Sequence, residues 1–282
     1  MVDTYGHQPR ILVLGDTLLD RYWLGTANRL SPEAPIPTVK IDKVVELSGG
    51  AGNVAANLRA LGAIVGCGLP EMGAPLPIKN RLMVGDRQLA RWDEHDECAP
   101  LVKIQIGHWD AVVVADYCKG AVGTTVEKFV KSFCGRVFID TKGNPACWRE
   151  VSSAVMFPNL KEYTDYSNEY CAGFDHVVFK RGAQGLTETV LDRLPGGTVF
   201  NGRECSYPSW ARFVRNVSGA GDTVVAAYAY ATLVGYPDPL AFANAAAAVV
   251  VEKPFTATAS LQEVLERLKE VGYPNAQCQL AA

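Results

Sequence analysis

The chemistry of this chain concentrates in the stretch Asn216-Val217-Ser218-Gly219-Ala220-Gly221-Asp222-Thr223, which runs into the apolar segment Val224 to Val234. Small residues directly ahead of a helix-forming pattern predict a tight turn that feeds a helix N-terminus. Such a turn binds anions, because the free N–H groups of the first turn and the positive end of the helix dipole face the ligand. Gly219 and Gly221 let a phosphate approach the backbone closely. Asp222 is the odd member, since a carboxylate repels the ligand that the turn attracts. It fits if it accepts a proton from a hydroxyl that attacks phosphorus. The alternative is that Asp222 only caps its helix.

Other polar groups must reach the same place. Asp16 and Asp20 follow the apolar run Ile11 to Leu14, beyond the carboxyl end of a buried strand, where ligands of open α/β sheets collect. There they either bind sugar hydroxyls or are solvated loop residues. Ser48-Gly49-Gly50-Ala51-Gly52-Asn53 enters a second helix, where Gly50 permits close backbone approach and the Asn53 amide can both donate and accept. The runs Ala111–Ala115, Val137–Ile139, Val155–Phe157 and Val177–Phe179 each end in a polar tail, and these tails include Lys119, Asp140, Lys142, Asn159, Glu162, Arg181 and Gly182. Repeated apolar strands with polar tails, separated by helix-length segments, predict a parallel sheet with one functional edge.

The proline-rich segment from 29 to 47 and the segment from 81 to 93 do not suit a central parallel strand. They are expected to form a small β flap able to exclude water from the site. The C-terminal third is expected to be helical. Leu240 to Val251 is packed tightly, with Asn244 facing adenine or bonding to backbone, and a last helix follows from Leu261 to Val271. The whole of 1–282 is expected to form one domain carrying the flap.

Composition narrows the partners. A formal charge of −3 over 282 residues supplies no basic field for nucleic acid. No apolar run reaches the ~18 residues of a membrane span, and Met1 to Arg10 lacks the apolar core of a signal peptide, so a cytoplasmic location is expected. The eight cysteines contain no Cys-x-x-Cys pair and are expected to be mostly buried, reduced thiols. The four histidines (His7, His95, His108, His176) lack metal-site spacing.

The segments Gly49 to Ala55 and Asn216 to Thr223 resemble the two signatures of the ribokinase-like, or PfkB, carbohydrate kinases. Gly15 to Trp23, Arg29 to Pro37, Asp116-Tyr117-Cys118-Lys119-Gly120, Asp140 to Gly143, Pro158 to Glu162 and Ala243 to Ala247 further resemble the D-glycero-β-D-manno-heptose 7-phosphate kinases. The resemblance covers nearly the whole chain. It implies a three-layer α/β/α fold and transfer of the ATP γ-phosphate to the C1 hydroxyl of the sugar 7-phosphate, yielding a 1,7-bisphosphate for lipopolysaccharide precursors. Asp222 then corresponds to the catalytic base, and Gly219, Ala220 and Gly221 to the anion hole. Asp20, Gly50 and Asn53 fall where the family holds sugar hydroxyls, and Asp140 is counted with the substrate. Asn159 and Glu162 match the element that organises Mg²⁺ through water, and Arg181, Gly182 and Asn244 lie where ATP binds. A phosphorylated acceptor needs cations, for which Arg81, Arg91, Lys119 and Lys142 are the candidates, unless the arginines merely pair with Asp86 and Asp93. Family flaps often pair, which implies a homodimer.

Departures from the family pattern bear on this reading. The stretch Gly66 to Lys79 and the segments after Asp93 and Glu162 are short. Asn216 and Ser218 stand where the family usually has Asp and Thr, which weakens any monovalent-cation site beside the anion hole. The nucleotidyltransferase domain often fused to these kinases does not follow Ala282 in this sequence. A kinase for another sugar or sugar phosphate is the alternative within enzymes, and a trimmed binding or interaction protein the alternative outside them.

Overall fold

A computed structural model describes residues 8–70, 73–151, 153–167, 173–193, 199–273 and 278–280. His7, Cys171 and most of the N-terminal segment lie outside the described residues. The frame is a ten-stranded sheet in the order β14-β13-β12-β11-β10-β9-β8-β1-β4-β7. Its centre is parallel: β1 (Arg10–Gly15) lies between β4 (Ile64–Pro70) and β8 (Ala111–Asp116), and β9 (Arg136–Thr141), β10 (Ala154–Met156) and β11 (His176–Lys180) follow. Alternate side chains of these strands enter two cores. Ile11, Val13, Val113, Phe138 and Val155 face one, and Leu12, Leu14, Val112, Val114 and Ile139 the other. Burial on both faces explains why the strands read as continuous apolar runs.

One core is covered by α1 (Ala51–Leu61), α4 (Ala220–Leu233), α5 (Pro239–Val251) and α6 (Leu261–Glu270). The other is covered by α2 (Thr124–Ser132) and the turn holding Trp148, while the short α3 (Leu160–Asp165) follows β10. Three layers result. The small side chains of α4 and α5 (Ala226, Ala227, Ala243, Ala245, Ala246, all buried) let these helices pack closely on each other and on the sheet. A wholly helical C-terminal third is not found. β12 (Leu186–Arg193), β13 (Val199–Tyr207) and β14 (Cys278–Leu280) extend the sheet antiparallel beside β11. β7 (Leu101–Ile104) does the same beside β4.

The flap is a separate four-stranded sheet, in the order β3-β2-β5-β6. It is larger than the expected 29–47 and 81–93, because β2 (Thr17–Leu30) starts immediately after β1 and pairs along its length with β3 (Pro37–Gly50). Of the proline-rich segment, only residues 31–36, with Pro32 and Pro35, form the turn between them, and the rest belongs to β2 and β3. The second part is a hairpin, β5 (Ile78–Val84) with β6 (Arg87–Glu94), rather than one extended stretch.

The expectation of mostly buried thiols fails. Cys118, Cys134 and Cys147 are exposed and Cys67 and Cys98 half-buried, while Cys205 is buried. The exposed ones sit in connections after β8 and α2 and in the turn after β9, not in the strands or helices that form the cores.

Candidate active site

The strand order reverses at β1, whose chain continues to β4 on one side while β8 lies on the other, and ligands bind at such a switch point. Asp16 stands there, fully buried, and its carboxylate accepts from the backbone N–H groups of Tyr117 (2.7 Å), Lys119 (3.1 Å) and Ala121 (2.8 Å). Asp16 therefore ties down the loop after β8 and has no oxygen left for a sugar. The loop it organises carries Tyr117.

Asp222 lies in the first turn of α4. Gly219 is the N-cap residue, with φ 79°, and no side chain caps the helix, so Asp222 is not a cap. Gly219 has two reasons to be glycine: its left-handed backbone, and Asn53 Nδ2, which would lie 2.5 Å from an added Cβ. The Asp222 carboxylate, 4% exposed, accepts from Asn53 Nδ2 at 2.9 Å and from the Tyr117 hydroxyl. Burial pushes its pKa up to about 6, opposed by those two hydrogen bonds and by Lys180, and assisted by Asp140. Asn53 is held in turn by Asn57, whose Oδ1 accepts from Thr223 Oγ1 at 3.2 Å, so α1 and α4 are locked together beneath the carboxylate.

Gly219, Ala220, Gly221 and Asp222 line a cavity of about 500 Å³. Tyr117, Asp140, Lys142, Asn159 and Lys180 form its polar wall, and Val214, Val217, Asn244, Ala247, Ala248 and Val251 its apolar end. Lys180 donates to Asp140 Oδ2 at 2.6 Å, and a Cβ added at Gly221 would lie 3.7 Å from its Nζ, so this lysine reaches the anion turn. It had gone unnoticed in the sequence, although it occupies the same strand-end position as the polar tails. Lys142 pairs with Glu162 (2.5 Å) and approaches Asp140 (3.7 Å). Burial pulls the Lys142 ammonium pKa down, but Asp140 and Glu162 more than offset this and leave it raised.

Asn159 and Glu162 close a reciprocal capping box on α3, and each occupies the other. Asp140 Oδ1 is buried with no hydrogen-bond partner among the described residues. Asn244 lines the cavity and bonds to backbone, its Nδ2 donating to Pro208 O at 2.8 Å. Arg181 does not belong to this cavity. Its guanidinium reaches Thr187 and Gln184 and lines a second cavity on the other side of the strand end, because it follows Lys180 and neighbours in an extended chain point to opposite faces.

The acceptor-side cations form a different group. The flap register sets Asp20 beside Lys79 and Tyr22 beside Arg81, with Lys79 opposite Asp93 and Arg81 opposite Arg91. Residues two apart share a face, so one sheet face carries all of them. Arg81 pairs with Asp20 at 2.6 Å, and Thr256 Oγ1 donates to the other oxygen of Asp20 at 3.2 Å. A Cβ at Gly49 would meet that carboxylate at 2.6 Å, and one at Gly50, which carries φ 58°, would meet Asp16 O at 2.2 Å. Arg91 pairs with Asp93 and Lys119 with Asp96, while Asp86 meets Arg215 instead. Of the four expected phosphate-binding cations, Lys142 thus belongs to the cavity beside Asp222, and the other three already hold carboxylates. Lys79, which sequence reasoning passed over, makes no ion pair among the described residues, and its Nζ lies 5.3 Å from the Tyr117 ring.

The sequence profile of the pfkB family carbohydrate kinases matches residues 79–263. The chain belongs to this family. That family's class, carbohydrate kinase, is the one expected above. Among curated relatives, the bifunctional protein HldE of Shewanella amazonensis is 35% identical over 92% of the chain, and that of Chromohalobacter salexigens 34% over 93%. The chain spans 63% of the length of the first and 64% of the second. The fold is ribokinase-like. A nucleoside kinase of Methanocaldococcus jannaschii superposes with a TM-score of 0.68 at 18% identity, over 93% of this chain and 99% of that one. An Arabidopsis thaliana ribokinase, solved with ribose and ATP, gives 0.63 at 19%, over 93% and 99%.

Proposed function

We propose that this carbohydrate kinase uses ATP and Mg²⁺ to phosphorylate the C1 hydroxyl of D-glycero-β-D-manno-heptose 7-phosphate. The observation that carries the reading is Asp222 itself: a buried carboxylate, not a cap, facing the amides of an anion-binding turn at the mouth of a nucleotide-sized cavity. Asp222 takes the proton of the attacking hydroxyl as the oxygen–phosphorus bond forms and the bond to the leaving ADP breaks. The amides of Gly219 and Gly221 hold the transferred phosphoryl group, with Lys180 beside them, while the Ala220 amide donates to Val217 O at 3.3 Å. Val214, Val217 and Val251 give the base an apolar slot.

Mg²⁺ prefers oxygen donors and keeps much of its water, and the site offers hard oxygens of that kind. Asp140 Oδ1, buried and without a hydrogen bond, is suited to accept from the ion's water, beside Asn159 and Glu162. When bound, the ion would neutralise charge between the phosphates. Among the described residues no cluster of three or more His, Cys, Asp or Glu could hold a metal ion.

A phosphorylated acceptor is supported by Lys79, a cation of the flap face that makes no ion pair among the described residues, although Asp20 and Asp93 are near it. A homodimer joined through the flap belongs to the same reading and is supported by its exposed apolar side chains Leu30, Ile36, Val44, Leu89 and Trp92. So does a cytoplasmic role in lipopolysaccharide-precursor synthesis. The test is incubation with ATP, Mg²⁺ and a panel of sugars while ADP is followed. Heptose 7-phosphate should give the highest kcat/KM, and absence of ADP formation with every sugar would refute the reading.

A further inference from the structure

The contact between Tyr117 and Asp222 lies outside the roles assigned so far. Tyr117 follows β8 and its backbone N–H is fixed by Asp16, so the ring is set by the fold rather than by its exposed neighbours. Two ammonium groups approach the ring, Lys79 Nζ of the flap at 5.3 Å and Lys142 Nζ of the cavity at 5.2 Å. Its hydroxyl donates to Asp222 Oδ1, while Asn53 donates to Oδ2. The two donors reach different oxygens of the carboxylate, Asn53 from α1 and Tyr117 from the loop after β8.

We propose that Tyr117 is a positioning residue for Asp222: its hydroxyl holds the carboxylate ionised and aimed at the anion turn. The role of Asp222 as base rests on the function proposed above, whereas the hydrogen bond does not. A buried carboxylate next to a phosphate site is biased toward its protonated form, which cannot act as a base. The groups facing Asp222 are Asn53 from α1, Asp140 from the end of β9, Lys180 from the end of β11, Lys142 beyond β9 and Tyr117. Asp140 favours the protonated form, Lys180 and the two neutral donors the ionised one. Of the two neutral donors, Tyr117 favours the ionised form more than Asn53 does. The hydroxyl itself stays un-ionised, since burial and then Asp222 push its own pKa well up.

The test is Tyr117→Phe, read in two ways. The first needs no turnover: the Asp222 carboxyl is titrated by carbon-13 NMR in the unliganded protein, with Asp222→Asn giving the assignment. Its midpoint should rise by about one pH unit in the variant. The second is the kcat/KM profile with heptose 7-phosphate, whose acid limb should move up by the same amount. Activity then falls about fivefold near pH 6 and less than twofold above pH 8, with the KM for ATP unchanged. If the phenylalanine variant fails to fold, 3-fluorotyrosine at position 117, a stronger donor of the same size, should lower the midpoint instead. An Asp222 midpoint unmoved by these changes overturns the proposal. A protein that phosphorylates no sugar but shows the shift keeps the Tyr117–Asp222 coupling and loses only the assigned reaction.

Discussion

Asn53 and Asp222 stand 169 positions apart and meet in a 2.9 Å hydrogen bond that joins the two glycine-rich segments of the chain. The same Asn53 amide nitrogen also reaches Gly219 O at 3.3 Å, so the base and its anion turn hang from one side chain of α1. Asn53 was expected among sugar-binding residues. Its amide nitrogen is instead committed to the machinery of α4, and Asn57 donates to its oxygen.

Asp222→Asn should lower kcat by at least ~10²-fold, the scale of losing a general base, while leaving ATP affinity close to that of the parent. Stopped-time ADP assays and calorimetric titration with ATP separate the two. Near-normal turnover in the variant would remove Asp222 from the chemistry.

The same carboxylate should cost stability. Its folded pKa, about 6, lies above its ordinary value of 3.8, so the folded state binds the proton more tightly than the unfolded state. Stability therefore falls as pH rises from about 4 through 6, and the penalty above pH 7 is on the order of 2–3 kcal/mol. Asp222→Asn should raise Tm at pH 8 and lose that advantage at pH 4. A Tm difference independent of pH would mean that the carboxylate is not held above its ordinary pKa.

Much of this was legible because parallel strands write themselves as apolar runs. Ile11–Leu14, Ala111–Ala115, Val137–Ile139, Val155–Phe157 and Val177–Phe179 all fall on central strands, and their polar tails meet at one sheet edge. β12 and β13 were missed because strands such as Leu186–Arg193 mix charged and apolar residues and lack the continuous run. Side-chain direction was equally hidden: Arg181 and Lys180 are adjacent, and only pairing with β12 fixes which of them reaches the phosphate turn. Lys79 and Tyr117 escaped notice because nothing local marks a cation without a carboxylate or a hydroxyl aimed across 105 positions.

The flap exposes apolar side chains on a sheet with open edges at β3 and β6, an arrangement that pairing with a second copy would cover. Light scattering at micromolar concentration should show a dimer, and Leu89→Asp combined with Trp92→Asp should shift it toward monomer. A monomer in the parent protein at those concentrations would rule out flap pairing.

Lys79→Met tests the acceptor. Arg81, Arg91 and Lys119 are each paired with a carboxylate of or near the flap, whereas burial pulls the Lys79 ammonium pKa down, with Asp20 opposing and Arg91 and Arg81 assisting. A phosphate dianion arriving at this face would supply the missing counter-charge, in a charge-assisted hydrogen bond worth about 1.5–3 kcal/mol. The variant should accordingly raise KM for heptose 7-phosphate by roughly 10- to 100-fold, leave KM for ATP unchanged, and scarcely affect the slow reaction of unphosphorylated heptose. Arg91→Ala should do less, since Arg91 is bound to Asp93 on the exposed part of the hairpin. Equal kcat/KM for the phosphorylated and unphosphorylated sugars would leave a kinase of neutral sugars on the same fold, with Lys79 serving only to pack against Tyr117.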